Sequence, residues 1–317
     1  MKKQLVVLTG PTAVGKTKLS ILLAKAIDGE IISADSMQVY KYMDIGSAKI
    51  MPEEMEGVPH HLVDVLDPAE EFNVVRFQAM AKQAMEGIYS RGHIPILVGG
   101  TGFYIQAITQ DIDFAETQVD ETYRRELEQT ASQKGAAYLH DLLALIDPDS
   151  AKEIHANNVK RVIRALEYYH ETGQPISKHN ETQRSKASPY DLTYFVLNDK
   201  REFLYERINQ RIDEMLSAGL VEEVGALKVR GCTRDMVSMQ GLGYKEILDY
   251  LDGVYTLDEA VDILKRDTRH FAKRQLTWFR REKQVIWVNK DEFDYDNKKI
   301  LEYMMEQIND SKYRNIL

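Results

Sequence analysis

Gly10, Pro11, Thr12, Ala13, Val14, Gly15, Lys16 and Thr17 spell G-x-x-x-x-G-K-[ST], a spacing whose chemistry is phosphate binding. The glycines let backbone N–H groups turn inward around an anion, and the helix that follows points its positive end at the same oxygens. Lys16 adds a point charge, and Thr17 offers a hydroxyl to Mg2+. A diphosphate, or a triphosphate such as ATP, is the expected class of ligand. Asp35 follows the run Glu30-Ile31-Ile32-Ser33, and Thr101 follows Ile94-Pro95-Ile96-Leu97-Val98 and two glycines. Ligands of open α/β sheets sit outside the carboxyl ends of strands, so both residues belong with the phosphate loop in one crevice. Spacing leaves Asp35 three roles: holding Mg2+ through water, accepting a proton, or capping a turn.

The elements that must position these groups are legible in outline. Residues 4–9 read as a buried strand and 16–27 as its helix, with Leu19, Leu22, Leu23, Ala26 and Ile27 on one face. Residues 30–33 form a second strand and 94–98 a third. Between them 72–91 reads as an amphipathic helix, with Asn73 as N-cap and Phe77, Met80, Ala84 and Ile88 on one stripe. Continuous apolar strands alternating with helices predict a parallel sheet covered on both faces. From 113 to 190 the strand signals stop, and 124–134, 136–145 and 158–169 look helical. The polar stretch 179–186 closes this segment and reads as a loop. A strand returns at 192–197, followed by helices over 200–218, 221–228, 244–251 and 257–281, a last strand at 285–288 and a helical tail from 295. The expected fold is α/β: a P-loop NTPase-like core with a mainly parallel sheet flanked by helices (1–112 and 191–317), plus an all-helical insertion domain (113–190).

A chain of 317 residues, 44% hydrophobic and 29% charged, can bury a full core. Its single cysteine, Cys232, rules out an internal disulfide framework and a Cys-based zinc site. The apolar run after Met1-Lys2-Lys3 is too short for a signal peptide and leads straight into the phosphate loop, and no stretch is long enough to span a membrane. A cytoplasmic protein is expected. The net charge of −9 alone argues against nucleic acid, but the charge is segregated. Lys265, Arg266, Arg269, Lys273, Arg274, Arg280, Arg281 and Lys283 cluster with Trp278 and Phe279, and a second basic set is Lys160, Arg161 and Arg164. Such patches are compatible with nucleic acid, and equally with solvated helix faces. His60 and His61 are adjacent, with no third ligand near, and read as packing or loop contacts.

NTP-hydrolysing P-loop proteins place a second acid at the end of an apolar strand to help hold Mg2+. Here the 94–98 strand ends in Gly99-Gly100-Thr101 without one. The motifs instead resemble those of the bacterial tRNA dimethylallyltransferases, the tRNA prenyltransferase family. The shared runs are G-P-T-A-V-G-K-T at 10–17, A-D-S-M-Q-V-Y at 34–40, D-I-G-S-A-K at 44–49 and V-P-H-H-L at 58–62. They continue as L-V-G-G-T-G-F-Y at 97–104, K-R-V-I-R-A-L-E at 160–167, G-Y-K-E at 243–246 and A-K-R-Q-L-T-W-F-R at 272–280. They span nearly the whole chain, in order.

The resemblance implies transfer of a dimethylallyl group from dimethylallyl diphosphate to N6 of the adenosine 3′ of the tRNA anticodon. Residues 10–17 would cradle the donor diphosphate, with Lys16 as the main neutralising charge and Thr17 as an Mg2+ ligand. By the same resemblance Asp35 is the base that takes the N6 proton, and Thr101 contacts the donor's bridging oxygen or the adenosine. Ser36, Met37 and Gln38, with Asp35, would line the target base. Arg211 matches the family's diphosphate-binding arginine, with Arg207 one turn earlier as the alternative. Arg124, Lys160, Arg161, Val162, Ile163 and Arg164 would contact tRNA, and the 265–283 segment, Lys273 and Arg274 included, would grip the anticodon stem. The implied partners are the tRNA anticodon stem-loop and dimethylallyl diphosphate, with no membrane and a monomeric enzyme. Rival readings remain: a kinase with a helical lid at 113–190, a prenyltransferase acting on free nucleotides, and a non-catalytic RNA-binding module. The Gly243-Tyr244-Lys245-Glu246 motif has no role assignable from its residues.

Overall fold

A computed structural model of the protein describes residues 2–114, 120–184 and 186–314. The chain divides into two compact units, residues 1–109 with 188–317, and residues 110–187.

The first unit is built on one six-stranded sheet in which every pairing is parallel. β1 (Gln4–Thr9) leads through the phosphate loop into α1 (Lys16–Ile27), then β2 (Gly29–Ser33), β3 (His60–His61), α2 (Val74–Ser90), β4 (Ile94–Gly99) and α3 (Gly102–Thr109). The second unit comprises α4 (Glu121–Lys134), α5 (Ala136–Ile146), α6 (Pro148–Glu153), α7 (Val159–Thr172) and α8 (Ile176–Arg184). The chain then returns as β5 (Asp191–Asn198), α9 (Arg201–Ser217), α10 (Leu220–Val229), α11 (Tyr244–Leu251), α12 (Leu257–Phe279), β6 (Ile286–Asn289) and α13 (Asn297–Arg314). The strand order is β3-β2-β4-β1-β5-β6. β1 is central: Val6, Val7 and Leu8 pair with Ile96, Leu97 and Val98 on one side and with Thr193, Tyr194 and Phe195 on the other. Leu5 through Leu8 are fully buried, which is why the run is apolar without alternation.

Asn73 caps α2 as expected, its Oδ1 accepting from Arg76 N at 3.0 Å. The buried stripe is Phe77, Ala81, Met85 and Ile88, so Met80 and Ala84 flank the core rather than fill it. The short edge strand β3 lacks a hydrophobic run and carries no sequence signal; Ile31 and Ile32 of β2 recruit it by pairing. Among the described residues no helix is long and apolar enough to cross a membrane.

The helical unit has its own core of Leu127, Leu139, Leu143, Val162, Ile163, Ala165 and Leu166. The loop expected over 179–186 is instead largely the helix α8, ending at Arg184. Asp147 holds its first turn by accepting from Ser177 N at 3.0 Å, and the nearly buried Gln183 accepts from Asp113 N at 3.1 Å. Tertiary anchors outweigh the weak helical preference of this polar stretch.

Candidate active site

The phosphate loop needs three residues in left-handed backbone. Gly10 has φ 145°, Ala13 φ 62° and Gly15 φ 95°, the last handing the chain into α1. At Gly10 a side chain is also excluded by space, since a Cβ would lie 2.5 Å from Leu197 O on β5. Three long-range contacts hold the loop from outside. Thr12 N donates to Gln275 Oε1 (2.9 Å), Arg207 Nε to Ala13 O (3.0 Å) and Lys290 Nζ to Val14 O (3.3 Å). Arg207 is itself held by the buried Asp199 carboxylate at 2.5 Å.

Inside the loop, Lys16 Nζ donates to Gly10 O (3.0 Å) and Pro11 O (2.9 Å). Burial pulls its ammonium from the usual 10.5 down to about 8; the Asp35 carboxylate opposes that shift and the Arg211 guanidinium reinforces it. Burial likewise lowers Arg211, again against the pull of Asp35. Lys16, Arg211 and Asp35 are therefore one electrostatic group. Arg207 is committed to the loop carbonyl of Ala13 and to Asp199, so of the two candidate arginines Arg211 is the one coupled to Asp35 and Lys16.

Asp35 is a turn cap and more. Its Oδ1 accepts from Met37 N (2.8 Å) and Gln38 N (3.3 Å), while Oδ2 has no hydrogen bond among the described residues. The same side chain that fixes the turn keeps one oxygen uncommitted among the described residues. Thr101 begins the turn into α3: its N donates to Ala34 O at 3.3 Å, and its own carbonyl accepts from Tyr104 N and Ile105 N. Its hydroxyl has no partner among the described residues. The glycines around it are explained by packing. A Cβ would lie 2.2 Å from Ala34 O at Gly99, 2.2 Å from Gln275 Nε2 at Gly100 and 2.3 Å from Trp278 Cδ1 at Gly102. Gln275, only 6% exposed, also donates to Gly100 O at 2.9 Å, so one amide ties the phosphate loop to the Thr101 turn.

Mg2+ fits this donor set. The Thr17 hydroxyl and Asp35 Oδ2 are hard oxygens uncommitted among the described residues. No group of three His, Cys, Asp or Glu side chains among them could hold a metal alone. Mg2+ typically takes one or two protein oxygens and completes its shell with phosphate and water.

The 44–49 motif is held beside the Asp35 turn. Lys49, its side chain 3% exposed, bonds Tyr40 O, Asp44 and Asp64 at 2.6–2.7 Å. Tyr244 and Glu223 grip the backbone of 44–47, which gives the G-Y-K-E motif its account. Gly243 caps α11 with help from Glu246, which accepts its N–H at 2.9 Å. Glu223, Gln275 and Lys290 are missed by sequence reasoning; only the place of Gln275 inside A-K-R-Q-L-T-W-F-R hinted at a role.

The residues expected to meet tRNA sort differently. Lys160, Arg161 and Arg164 are exposed on α7. Val162 and Ile163, at 0% and 5% exposure, belong to the core of the helical unit, so their side chains are turned away from solvent. Helical periodicity turns them inward while their basic neighbours face out. Arg124 is engaged in a bidentate ion pair with the buried Glu167 carboxylate, at 2.6 and 2.9 Å, which gives it a structural task. On α12, Lys265 pairs with Asp213, Arg266 with Asp267, and Arg269 donates to Asn209. Lys273, Arg274, Arg280, Arg281 and Lys283 are exposed and make no ion pair among the described residues. His60 Nδ1 donates to its own turn at Val58 O, and His61 lies 2.7 Å from Glu30, itself clamped by Arg91; both are packing contacts.

The sequence model of the IPP transferase family matches residues 38–282. A tRNA dimethylallyltransferase from Lachnoclostridium phytofermentans is 64% identical over 292 residues, 92% of this chain and 93% of that one. Among solved structures, a full-length tRNA isopentenylpyrophosphate transferase from Bacillus halodurans is 47% identical and covers 100% of both chains, with a TM-score of 0.75. A tRNA delta(2)-isopentenylpyrophosphate transferase from Staphylococcus epidermidis is 42% identical, over 98% of this chain and 100% of that one, with a TM-score of 0.72. A eukaryotic dimethylallyltransferase captured acting on tRNA is 32% identical, over 90% of this chain and 74% of that one, with a TM-score of 0.74. A phosphate loop facing an aspartate with one free oxygen, a family match over most of the length and this level of identity lead to one conclusion: the chain belongs to the IPP transferase family.

Proposed function

We propose that this chain transfers a dimethylallyl group from dimethylallyl diphosphate to N6 of the adenosine 3′ of the anticodon in tRNA, as a monomer in the cytoplasm. The observation that carries this reading is the Lys16–Arg211–Asp35 group. Two buried cations are coupled electrostatically to one carboxylate that keeps a free oxygen, beside the phosphate loop. In the transfer, the donor's C1–O bond breaks and a C1–N6 bond forms. The N6 proton passes to Asp35 Oδ2, and diphosphate leaves into the loop. Lys16, Arg211 and the loop N–H groups take up the charge that develops on the leaving oxygens. Thr17 would hold Mg2+ directly and Asp35 through water; when bound, the ion supplies further positive charge to the diphosphate.

The absence of a carboxylate after β4, where Gly99-Gly100-Thr101 stands, disfavours the kinase reading. The unpaired cations on and after α12 favour a polynucleotide acceptor over a free nucleotide. The test is transfer of label from dimethylallyl diphosphate to an unmodified anticodon stem-loop, with AMP and ATP hydrolysis measured beside it. Label in RNA is expected; label in AMP alone, or ATP turnover with no transfer, defeats the proposal. Asp35→Asn keeps an oxygen for the turn and should lower turnover ~10²–10⁴-fold while RNA still binds.

A further inference from the structure

Glu223 on α10 and Tyr244 on α11 lie far in sequence from the Asp35 turn, and among the described residues neither has a hydrogen bond to the phosphate loop. Glu223 Oε2 accepts from Asp44 N (2.9 Å) and Ile45 N (2.7 Å), and Oε1 accepts from Gly46 N (3.1 Å). The Tyr244 hydroxyl donates to Glu223 Oε1 at 2.8 Å and accepts from Ser47 N at 3.0 Å. Successive amides of one loop thus converge on two side chains, and the carboxylate makes the anchor charge-assisted. Tyr244 is fully buried, with its ring against Gly46, where a Cβ would lie 2.6 Å from Cζ. Just before it, Gly241 packs against Met37 so closely that a Cβ would meet Sδ at 2.5 Å.

The carbonyls of the same loop act on Gln38. Its Nε2 donates to Ser47 O (3.4 Å) and Ala48 O (3.1 Å), and its Oε1 accepts from Ser33 Oγ at 3.4 Å. Two carbonyls on one side of the amide force the nitrogen to that side. The nitrogen's donors are used, and the oxygen, with one long contact, keeps acceptor capacity. Gln38 N in turn belongs to the Asp35 turn.

We propose that Glu223 and Tyr244 are positioning residues for the acceptor base: they fix the 44–48 backbone, which orients the Gln38 amide with its oxygen as the group left to read the base. This rests on the proposed transfer to adenosine. An amide oxygen accepts from the exocyclic amine of adenine and repels the O6 carbonyl of guanine, so the anchor sets base choice as well as affinity.

Tyr244→Phe keeps the ring beside Gly46 and removes only the hydroxyl. With labelled dimethylallyl diphosphate and an unmodified anticodon stem-loop, the KM for RNA should rise about tenfold, the scale of one lost bond to a charged group. The donor KM should stay within about twofold, and Glu223→Gln should give the same split. In a Gln38→Ala background, Tyr244→Phe should add less than about twofold, since both act through one amide. Amide hydrogen exchange at 44–47 should quicken in Tyr244→Phe, a readout that needs no turnover. An unchanged RNA KM, an equal rise in both KM values, full additivity with Gln38→Ala, or unchanged exchange overturns the proposal. If the unaltered chain transfers nothing to RNA, the functional reading fails, and exchange at 44–47 still decides whether the anchor fixes the loop.

Discussion

Lys16 allows the sharpest test. Its ammonium sits beneath the phosphate loop, and burial lowers it from 10.5 to about 8. At ~1.36 kcal/mol per unit, that drop corresponds to about 3 kcal/mol of net penalty on the charged form in the free enzyme. A bound diphosphate offsets the penalty, so the ligand selects protonated Lys16. The value of kcat/KM for the donor reports the free enzyme, and it should be flat below about pH 8 and fall about tenfold per unit above it. The donor's own ionisation is separated by Lys16→Arg, whose guanidinium does not titrate in this range. That variant should be slower at every pH and lack the alkaline limb. Folding carries the same sign. The folded-state value lies below that of the unfolded chain, so the unfolded chain holds more protons between about 8 and 10.5, and Lys16's contribution to stability rises across that window. An alkaline limb identical in Lys16→Arg, or none up to about pH 10, would refute the argument.

Other outcomes are as open to measurement. Gln275→Leu leaves Thr12 N and Gly100 O without their shared partner; thermal melting should show a loss of about 1–3 kcal/mol, accompanied by a higher donor KM. Arg124→Ala strands the Glu167 carboxylate, whose side chain is 2% exposed, and should destabilise the chain by about 1–3 kcal/mol; RNA affinity altered with no change in melting would contradict its structural role. Lys273→Ala and Arg274→Ala should each flatten the slope of log affinity for the stem-loop against log salt by about 0.7–0.9, and an unaltered slope would place the RNA elsewhere.

Local chemistry made much of this protein readable. Residues 10–17 are legible because phosphate binding demands glycines, a lysine and a hydroxyl at fixed spacing within one turn. The central strands are legible because a parallel strand buried on both faces must be continuously apolar. The pairing of Asp35 and Thr101 with the loop followed from where parallel strands end. Helix α8 was not legible, because Asp147 and Asp113 organise it from outside its own polar sequence. A motif match groups Val162 and Ile163 with their basic neighbours and carries no direction; the helical period around them turns their side chains inward.

What tertiary structure alone decided are the contacts that bridge long stretches of chain. Gln275 reaches Thr12 across 263 positions, and Glu223 reaches Asp44 across 179. No local pattern encodes such a pair, since a glutamine or a glutamate on a helix reads as an ordinary solvated residue until folding buries it. The choice between Arg207 and Arg211 was of the same kind. The two sit one turn apart on α9, and only the packing of that helix against the phosphate loop commits one to the Ala13 carbonyl and couples the other to Asp35. The sequence determined the chemistry available at the crevice, because that chemistry depends on residue type and short-range spacing. The orientation of its polar groups was left to the fold, because backbone amides and carbonyls far along the chain supply the partners that fix it.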